Sequence, residues 1–229
     1  MSVNPQHVRN VALIHELETA SSILGHGLRI AAGLRSEAQD VPAALHCLAF
    51  GAEKLLKLTY VLAEKDAMGV VPRDTELRKK FRHGVVDLEG HTRGEIRGRC
   101  GVGTGGQGYL AQLLSEVDAD PVVPAVLRAL GDWGAGGRYS HVSVYTHPAP
   151  AIEELWEDPR ALWREIEDAV ALPAEALMSP NVRGALNQAI VDSVRRWWEL
   201  YFRAWQHGLL GAEARQLSSE IDPSRVWSR

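Results

Sequence analysis

The sequence predicts an all-α protein, an antiparallel helical bundle with a glycine-rich, loop-containing insertion. Apolar residues recur every three or four positions through most of the chain, as they do along one face of a helix. Proline, glycine and helix-capping residues separate these periodic segments. With 45% hydrophobic and 24% charged residues in 229, the composition is typical of a globular chain that builds its own core.

The first two helices carry the clearest apolar stripes. The stripe of the first, from Pro5 to about Ser36, contains Leu13, Leu17, Ala20, Leu24, Leu28, Ala31 and Leu34. The second helix, about Ala43 to Asp66, has its stripe at Leu45, Leu48, Ala52, Leu55, Thr59 and Leu62. Pro42 precedes it and suits a first helical turn. We therefore expect a core helix that begins after Pro42.

The middle of the chain alternates between helices and loops. Asp74 or Thr75 can cap a third helix through ELRKKFRHGVVDLEGH, with a break expected at Gly84 or Gly90. Gly98 to Gly108 contains a formal G-x-G-x-x-G match, but no strand precedes it, so we interpret it as a loop. Helical segments follow at about 109–116 and 120–133. A long loop with one short strand at 141–146 then extends to Pro150.

The C-terminal part is predicted to hold helices at 152–157, 159–172 and 181–208. The last of these concentrates aromatic residues on more than one face, at Trp197, Trp198, Tyr201, Phe202 and Trp205. We expect them to be buried within the fold, with a homodimer contact as the alternative. The sequence thus predicts one bundle domain over residues 1–211, with the loop-rich insertion at about 98–150. A polar, loosely ordered tail follows at 212–229.

Composition and motifs exclude several functions. Cys47 and Cys100 have no cysteine or histidine at zinc-ligand spacing, so we expect no metal and no cofactor. The basic N-terminus has no apolar segment behind it and no apolar run approaches eighteen residues, which favours a cytoplasmic protein without a membrane partner. The net charge of -4 argues against whole-surface attraction to nucleic acid. The basic run from Arg73 to Arg99 is either a solvated face or a phosphate-binding surface.

Two segments resemble the HEPN family, the higher-eukaryote and prokaryote nucleotide-binding domain. ALHCLAFGAEKLLKLTYVLAEKD is similar to the family's helix with a Glu-Lys pair and a lysine one turn on, and KKFRHGVVDLEGH resembles its G-H-D-L-like segment. The resemblance covers about residues 43–91. It implies a dimeric bundle that associates with RNA or nucleotides. The residues that it assigns to RNA or nucleotide binding are Glu53, Lys57, Arg82 and His83.

The resemblance also implies a metal-independent ribonuclease site in some members. That site carries an arginine and a histidine separated by four to six intervening residues near the dimer interface. Arg9 and His15 meet this spacing, with the polar Asn10 after the arginine, although they precede Glu53 in the chain. Arg138 and His141 lie in the expected region but are closer together. These four residues are the candidates for catalysis.

Three functions remain as hypotheses. The first is a HEPN-like stress or phage-defence protein that binds RNA, with metal-independent cleavage as its catalytic form, as a homodimer or with a cognate antitoxin or defence partner. The second is a non-enzymatic helical protein that self-associates or docks a partner through its aromatic C-terminal helix. The third is a small-ligand pocket walled by the tryptophans and the 134–147 loop.

Overall fold

The regular structure of the described chain is helical throughout. A computed structural model describes residues 4–81, 84–100, 107–136 and 158–227, and within them the protein is all-α, which confirms the predicted fold class. None of the described helices is both long and apolar enough to cross a bilayer. The elements are α1 (Pro5–Ala32), α2 (Glu37–Met68), α3 (Asp74–Phe81), α4 (Val85–Arg99), α5 (Gln107–Ala119), α6 (Val122–Ala135), α7 (Pro159–Asp168), α8 (Ala174–Leu177), α9 (Val182–Gln206), α10 (Ala212–Leu217), a 3-10 helix (Ser218–Ile221) and α11 (Ser224–Trp227).

The α1–α2 hairpin is the frame of the bundle. Both predicted stripes are buried, with Leu17, Leu24 and Leu28 of α1 in one core with Leu45 and Leu48 of α2. The core continues through α2 to helices α4, α6 and α7, which all pack against it. The α2 helix is therefore the central element of the bundle, as its apolar pattern predicts.

The start of α2 differs from the prediction. The helix begins at Glu37, so Pro42 lies inside it. The Asp40 carboxylate accepts hydrogen bonds from the backbone N–H groups of Ser36 at 2.8 Å and Arg35 at 2.9 Å. These two bonds, the Ser36 bond first, lower the pKa of Asp40. They fix the helix start ahead of the proline, which lacks only one backbone donor in the second turn.

Part of the predicted loop-rich insertion belongs to the core. Helices α5 and α6 cover residues 107–135 except for a short connection, and α6 buries Val122, Val123, Val126 and Leu130. The chain breaks between α3 and α4 at Gly84, one of the two predicted positions, whereas Gly90 lies inside α4. Most of the glycine-rich segment, the predicted strand at 141–146 and the helix at 152–157 lie outside the described residues.

The aromatic residues of α9 are buried within the fold, as predicted. Trp198, Tyr201 and Trp205 are fully buried, while Trp197 and Phe202 are 3% and 6% exposed. Helices α1, α5, α6 and α7 all contact α9, which explains how aromatic side chains on several faces can all be covered. The aromatic side chains that the second hypothesis assigns to docking a partner are therefore already packed against other helices of this chain.

The predicted loose tail is wrong for residues 212–227. Helix α10, the 3-10 helix and α11 pack against the bundle, where Ala214 and Ile221 are fully buried. The Ser21 hydroxyl donates a hydrogen bond to the Glu220 carbonyl at 2.7 Å. Although the segment 212–227 is polar overall, its few apolar residues suffice to hold these short helices against α1 and α9.

Shortening one of those buried side chains tests this attachment. Ile221→Val should lower the free energy of unfolding by about 1 kcal/mol, because a buried methyl group is lost and its space is only partly refilled. Met178 is 87% exposed, so Met178→Ala should change it by no more than about 0.5 kcal/mol. Urea denaturation of both variants measures the difference. Equal, negligible effects would contradict the packing of the C-terminal segment.

Candidate ligand-binding cleft

The predicted catalytic pair on α1 does not converge in this chain. Arg9 and His15 are both exposed and six residues apart, which is about 9 Å along a helix axis. The His15 Nδ1 atom lies 3.3 Å from the Glu18 carboxylate, on the same helix. Arg138 and His141 lie outside the described residues. The described part of the chain therefore contains no assembled arginine–histidine site at these positions.

The residues that the HEPN resemblance assigns to binding are partly described. Glu53 and Lys57 lie one turn apart on α2 and form an ion pair with each other. The intervening Lys54 pairs with Glu16 of α1. Arg82 and His83 lie outside the described residues. The lysines at this part of α2 are thus engaged by carboxylates of the chain itself.

A different concavity lies between α2 and α3, a cleft of about 440 Å³ that we call the α2–α3 cleft. Tyr60 and Glu64 of α2, the connection Val70–Arg73 and Glu76, Leu77 and Lys80 of α3 line it. Its volume is in the range of small-molecule sites. Gly69 closes α2 in the left-handed conformation, with φ at 70° and its N–H bonded to the Lys65 carbonyl. This turn directs the chain back along α2 and so opens the cleft.

Two charged residues that line the cleft, Glu76 and Arg73, are hydrogen-bonded to each other. The Glu76 carboxylate accepts hydrogen bonds from the Arg73 backbone N–H at 3.1 Å and from its Nε at 3.0 Å. The backbone bond, followed by the side-chain bond, lowers the pKa of Glu76. The pair holds the start of α3 and leaves Glu64 and Lys80 as the other charged residues of the lining.

Lys80 lies over an aromatic cluster at the wall of the cleft. Its Nζ atom is 3.1 Å from the Tyr60 hydroxyl, 4.8 Å from the Tyr60 ring centre and 5.0 Å from that of Phe81. Tyr60 and Phe81 pack edge to face with ring centres 4.9 Å apart, and His91 of α4 tilts against both. Among the described residues no carboxylate lies within ion-pair distance of Lys80. The ammonium is exposed and held by cation–π contacts.

A second concavity of about 570 Å³ adjoins the other side of α3. Lys79, Lys80 and Phe81 of α3 line it, together with Asp87 at the start of α4 and Asp132 of α6. Lys80 belongs to the lining of both concavities. Helix α3 therefore presents its lysines between two hollows, in the part of the basic run that the sequence analysis left open between solvated face and phosphate surface.

Glu64 has unfilled hydrogen-bond capacity. Its Oε1 atom is 3.9 Å from His91 Nε2, too far for a hydrogen bond, and its side chain is 33% exposed. The His91 Nε2 atom is buried and has no hydrogen-bond partner. A buried ring nitrogen without a partner is uncommon, and this one faces the carboxylate that lines the cleft.

Helix α4 is anchored on another face by a buried charge. Glu89 is 2% exposed and accepts hydrogen bonds from Arg93, with atoms 2.9 and 3.0 Å apart, and from Trp197 Nε1 at 3.3 Å. Burial raises the pKa of Glu89, against the opposing effect of Arg93. Arg93 also reaches Asp118 of α5 at 3.3 Å. This network ties α4 to α5 and α9 and so fixes the helix that carries His91.

Other candidate sites have little support among the described residues. No group of three histidine, cysteine or acidic side chains is arranged there to hold a metal ion. The void beside Trp197, lined by apolar residues of α1, α2, α6 and α9, measures about 10 Å³, too small for an organic ligand. The loop assigned to the third hypothesis, residues 137–147 in particular, lies outside the described residues.

In comparisons with protein-family models, with curated proteins and with solved structures, the chain gives no significant match. The HEPN resemblance therefore stays a prediction based on residues 43–91, and the function is inferred from the geometry of the cleft.

Sequence reasoning missed Tyr60, Glu64 and His91 as site residues. Tyr60 and Glu64 are four apart on α2 and so share a face, but many helices contain such pairs. Lys80 was visible as part of the basic run. The signal that joins these residues is the turn at Gly69, which decides that α3 lies against the end of α2.

Proposed function

We propose that the protein binds RNA or a nucleotide through the α2–α3 cleft. The observation that carries the proposal is Lys80, an exposed ammonium that borders two hollows and contacts the Tyr60 hydroxyl. A phosphate oxygen can accept a hydrogen bond from such a lysine without breaking a salt bridge. The setting that the HEPN resemblance implies, a stress or phage-defence protein with a homodimer or an antitoxin partner, is part of the same proposal.

The surrounding residues support binding of a nucleotide-sized ligand. Val70, Val71 and Leu77 line the same cleft and offer apolar surface to a base. Lys79 lies next to Lys80 on α3 and offers a second ammonium to a strand that passes the cleft, although Asp87 and Asp132 share the second hollow with it. Because the chain carries a net charge of -4, binding should depend on this local surface and not on the overall field.

Lys80→Ala should weaken binding of a short labelled single-stranded RNA of mixed sequence about tenfold, since a charge-assisted hydrogen bond to phosphate is lost. The salt dependence should also fall by about 0.7 in the slope of log K against log salt concentration, as expected for one lost phosphate contact to a single strand. Fluorescence anisotropy at several salt concentrations measures both quantities.

The matched control is Lys57→Ala, which removes the binding lysine that the HEPN resemblance assigns. Because Lys57 is already paired with Glu53, we expect its replacement to leave RNA affinity within a factor of about two. The reverse result, weak binding by Lys57→Ala and unchanged binding by Lys80→Ala, would place the site on the α1–α2 surface and overturn the proposal for the cleft.

The same samples separate binding from cleavage. RNA incubated with the protein in excess EDTA and then run on a denaturing gel shows whether full-length strands survive. Cleavage that disappears in His15→Ala or Arg9→Ala would add a metal-independent nuclease at the pair that the resemblance names. If the RNA stays intact while the protein binds it with the affinity measured by anisotropy, the protein binds RNA without cleaving it.

A further inference from the structure

We propose that the α2–α3 cleft selects guanine, and that Glu64 is the residue that reads the base. This inference rests on the proposed function, since it names the class of nucleotide that the same cleft accepts. It follows from the Glu64 carboxylate, whose oxygens can accept hydrogen bonds from a ligand, and from the hydrogen-bonding groups of the four bases.

The cleft contains two carboxylates with different states. Glu76 is occupied by the backbone and side chain of Arg73. Glu64 accepts no hydrogen bond from the described residues; His91 Nε2 lies 3.9 Å from its Oε1 atom, within ion-pair distance only when the imidazole is protonated. An ionised carboxylate has two oxygens that accept hydrogen bonds and none that donate. The ligand group that binds Glu64 must therefore supply donors, and a pair of adjacent donors would use both oxygens.

Guanine is the common base with two adjacent donors. Its N1–H and its N2 amino group point in the same direction and match the two oxygens of one carboxylate. Adenine and cytosine place a ring nitrogen acceptor beside their amino group, so one carboxylate oxygen would face a lone pair. Uracil has a single N–H between two carbonyl oxygens. A carboxylate that reads the Watson–Crick edge therefore favours guanine by repelling the other bases as well as by binding this one.

The remaining parts of the cleft are placed to complete such a ligand. Glu64 follows Tyr60 by one helical turn, and the Tyr60 hydroxyl contacts Lys80, so the carboxylate of Glu64 and the ammonium of Lys80 line the same cleft. A base held at Glu64 can direct its phosphate toward Lys80. The cleft of about 440 Å³ has room for a mononucleotide.

The test measures binding of GMP, IMP and AMP to the full chain by displacement of the labelled RNA. Wild-type protein should bind GMP at least about tenfold more tightly than AMP, with IMP between them because it lacks the N2 amino group. Glu64→Gln keeps the shape of the side chain but places a donor where an acceptor is needed. It should weaken GMP about tenfold and strengthen AMP, because the amide offers a donor to the ring nitrogen of adenine, whereas Lys80→Ala should weaken all three alike.

Three outcomes separate the inference from the proposed function. Equal affinities for GMP and AMP, unaffected by Glu64→Gln, would overturn guanine selection while leaving nucleotide binding at the cleft intact. Failure of every nucleotide and of RNA to bind would overturn both. Selective loss of GMP binding in Glu64→Gln, with an unchanged thermal unfolding midpoint, supports the assignment. An adenine-rich RNA with one guanine, compared with the same strand without it, tells a guanine in RNA from a free nucleotide.

Discussion

Replacement of Gly51 by alanine should lower the free energy of unfolding by about 2 kcal/mol, because α1 and α2 pack too closely there for a methyl group. A Cβ atom at Gly51 would lie 2.7 Å from the backbone nitrogen of Leu24 and 2.8 Å from its Cα. These are main-chain atoms of the opposite helix, so relief requires the helices to separate. The gain in helix propensity, up to about 1 kcal/mol for glycine to alanine, is smaller than the cost of overpacking.

Gly94→Ala is the matched control for that prediction. Gly94 lies inside α4, it is exposed, and a Cβ atom there meets nothing within 4 Å. The same substitution should raise the free energy of unfolding by up to about 1 kcal/mol. Urea titrations of the two variants and wild type give both signs in one experiment. Stabilisation by Gly51→Ala would mean that the hairpin is less tightly packed than the structure has it.

Local physics made much of this bundle predictable. The leucine stripes of α1 and α2 and the aromatic burial of α9 depend on residues within a few positions of each other or on total hydrophobicity. The start of α2 escaped prediction because Pro42 is a stronger sequence signal than Asp40, although the two backbone hydrogen bonds to Asp40 decide the boundary.

The candidate site was less accessible to sequence reasoning because it depends on tertiary placement. Tyr60, Lys80 and His91 come from three helices, and their contacts exist only once the chain has turned at Gly69 and Gly84. The sequence pattern of α3 predicts a helix with a positive charge, but it does not predict which neighbouring helix Lys80 contacts. Conversely, Arg9 and His15 satisfied a spacing rule that holds along the chain, and the helix then places both in solvent.

The burial of Glu89 could not be predicted from the sequence for a related reason. Glu89 belongs to the segment VVDLEGHTRGE, where it resembles any surface glutamate of a helix. Its burial follows from α9, whose Trp197 and Tyr201 cover it from more than a hundred positions further along the chain. The aromatic residues of α9 therefore supply hydrogen-bond donors to a carboxylate in addition to apolar volume.

Glu89→Ala should lower the free energy of unfolding at neutral pH by about 3 kcal/mol, because Arg93 loses its buried partner and the indole of Trp197 loses its acceptor. Glu89→Gln should cost less, since an amide oxygen can still accept from both neighbours. Chemical denaturation of the two variants at neutral pH ranks them. A cost for Glu89→Ala below about 1 kcal/mol would contradict the anchoring role of this carboxylate.

The difference between wild type and Glu89→Gln should also depend on pH in a defined direction. Burial raises the pKa of Glu89 in the folded protein above its value in the unfolded chain, so the folded state binds the proton more tightly. The stabilisation that this provides is fully present below the unfolded pKa and is lost as the pH rises through the folded pKa. Wild type should therefore exceed Glu89→Gln most in acid and by less at neutral pH. The other carboxylates titrate in both proteins, so the difference between the two unfolding free energies at each pH reports on Glu89 alone. A stability advantage of wild type that grows with pH would show that the attraction of Arg93 for the ionised carboxylate outweighs the cost of its burial.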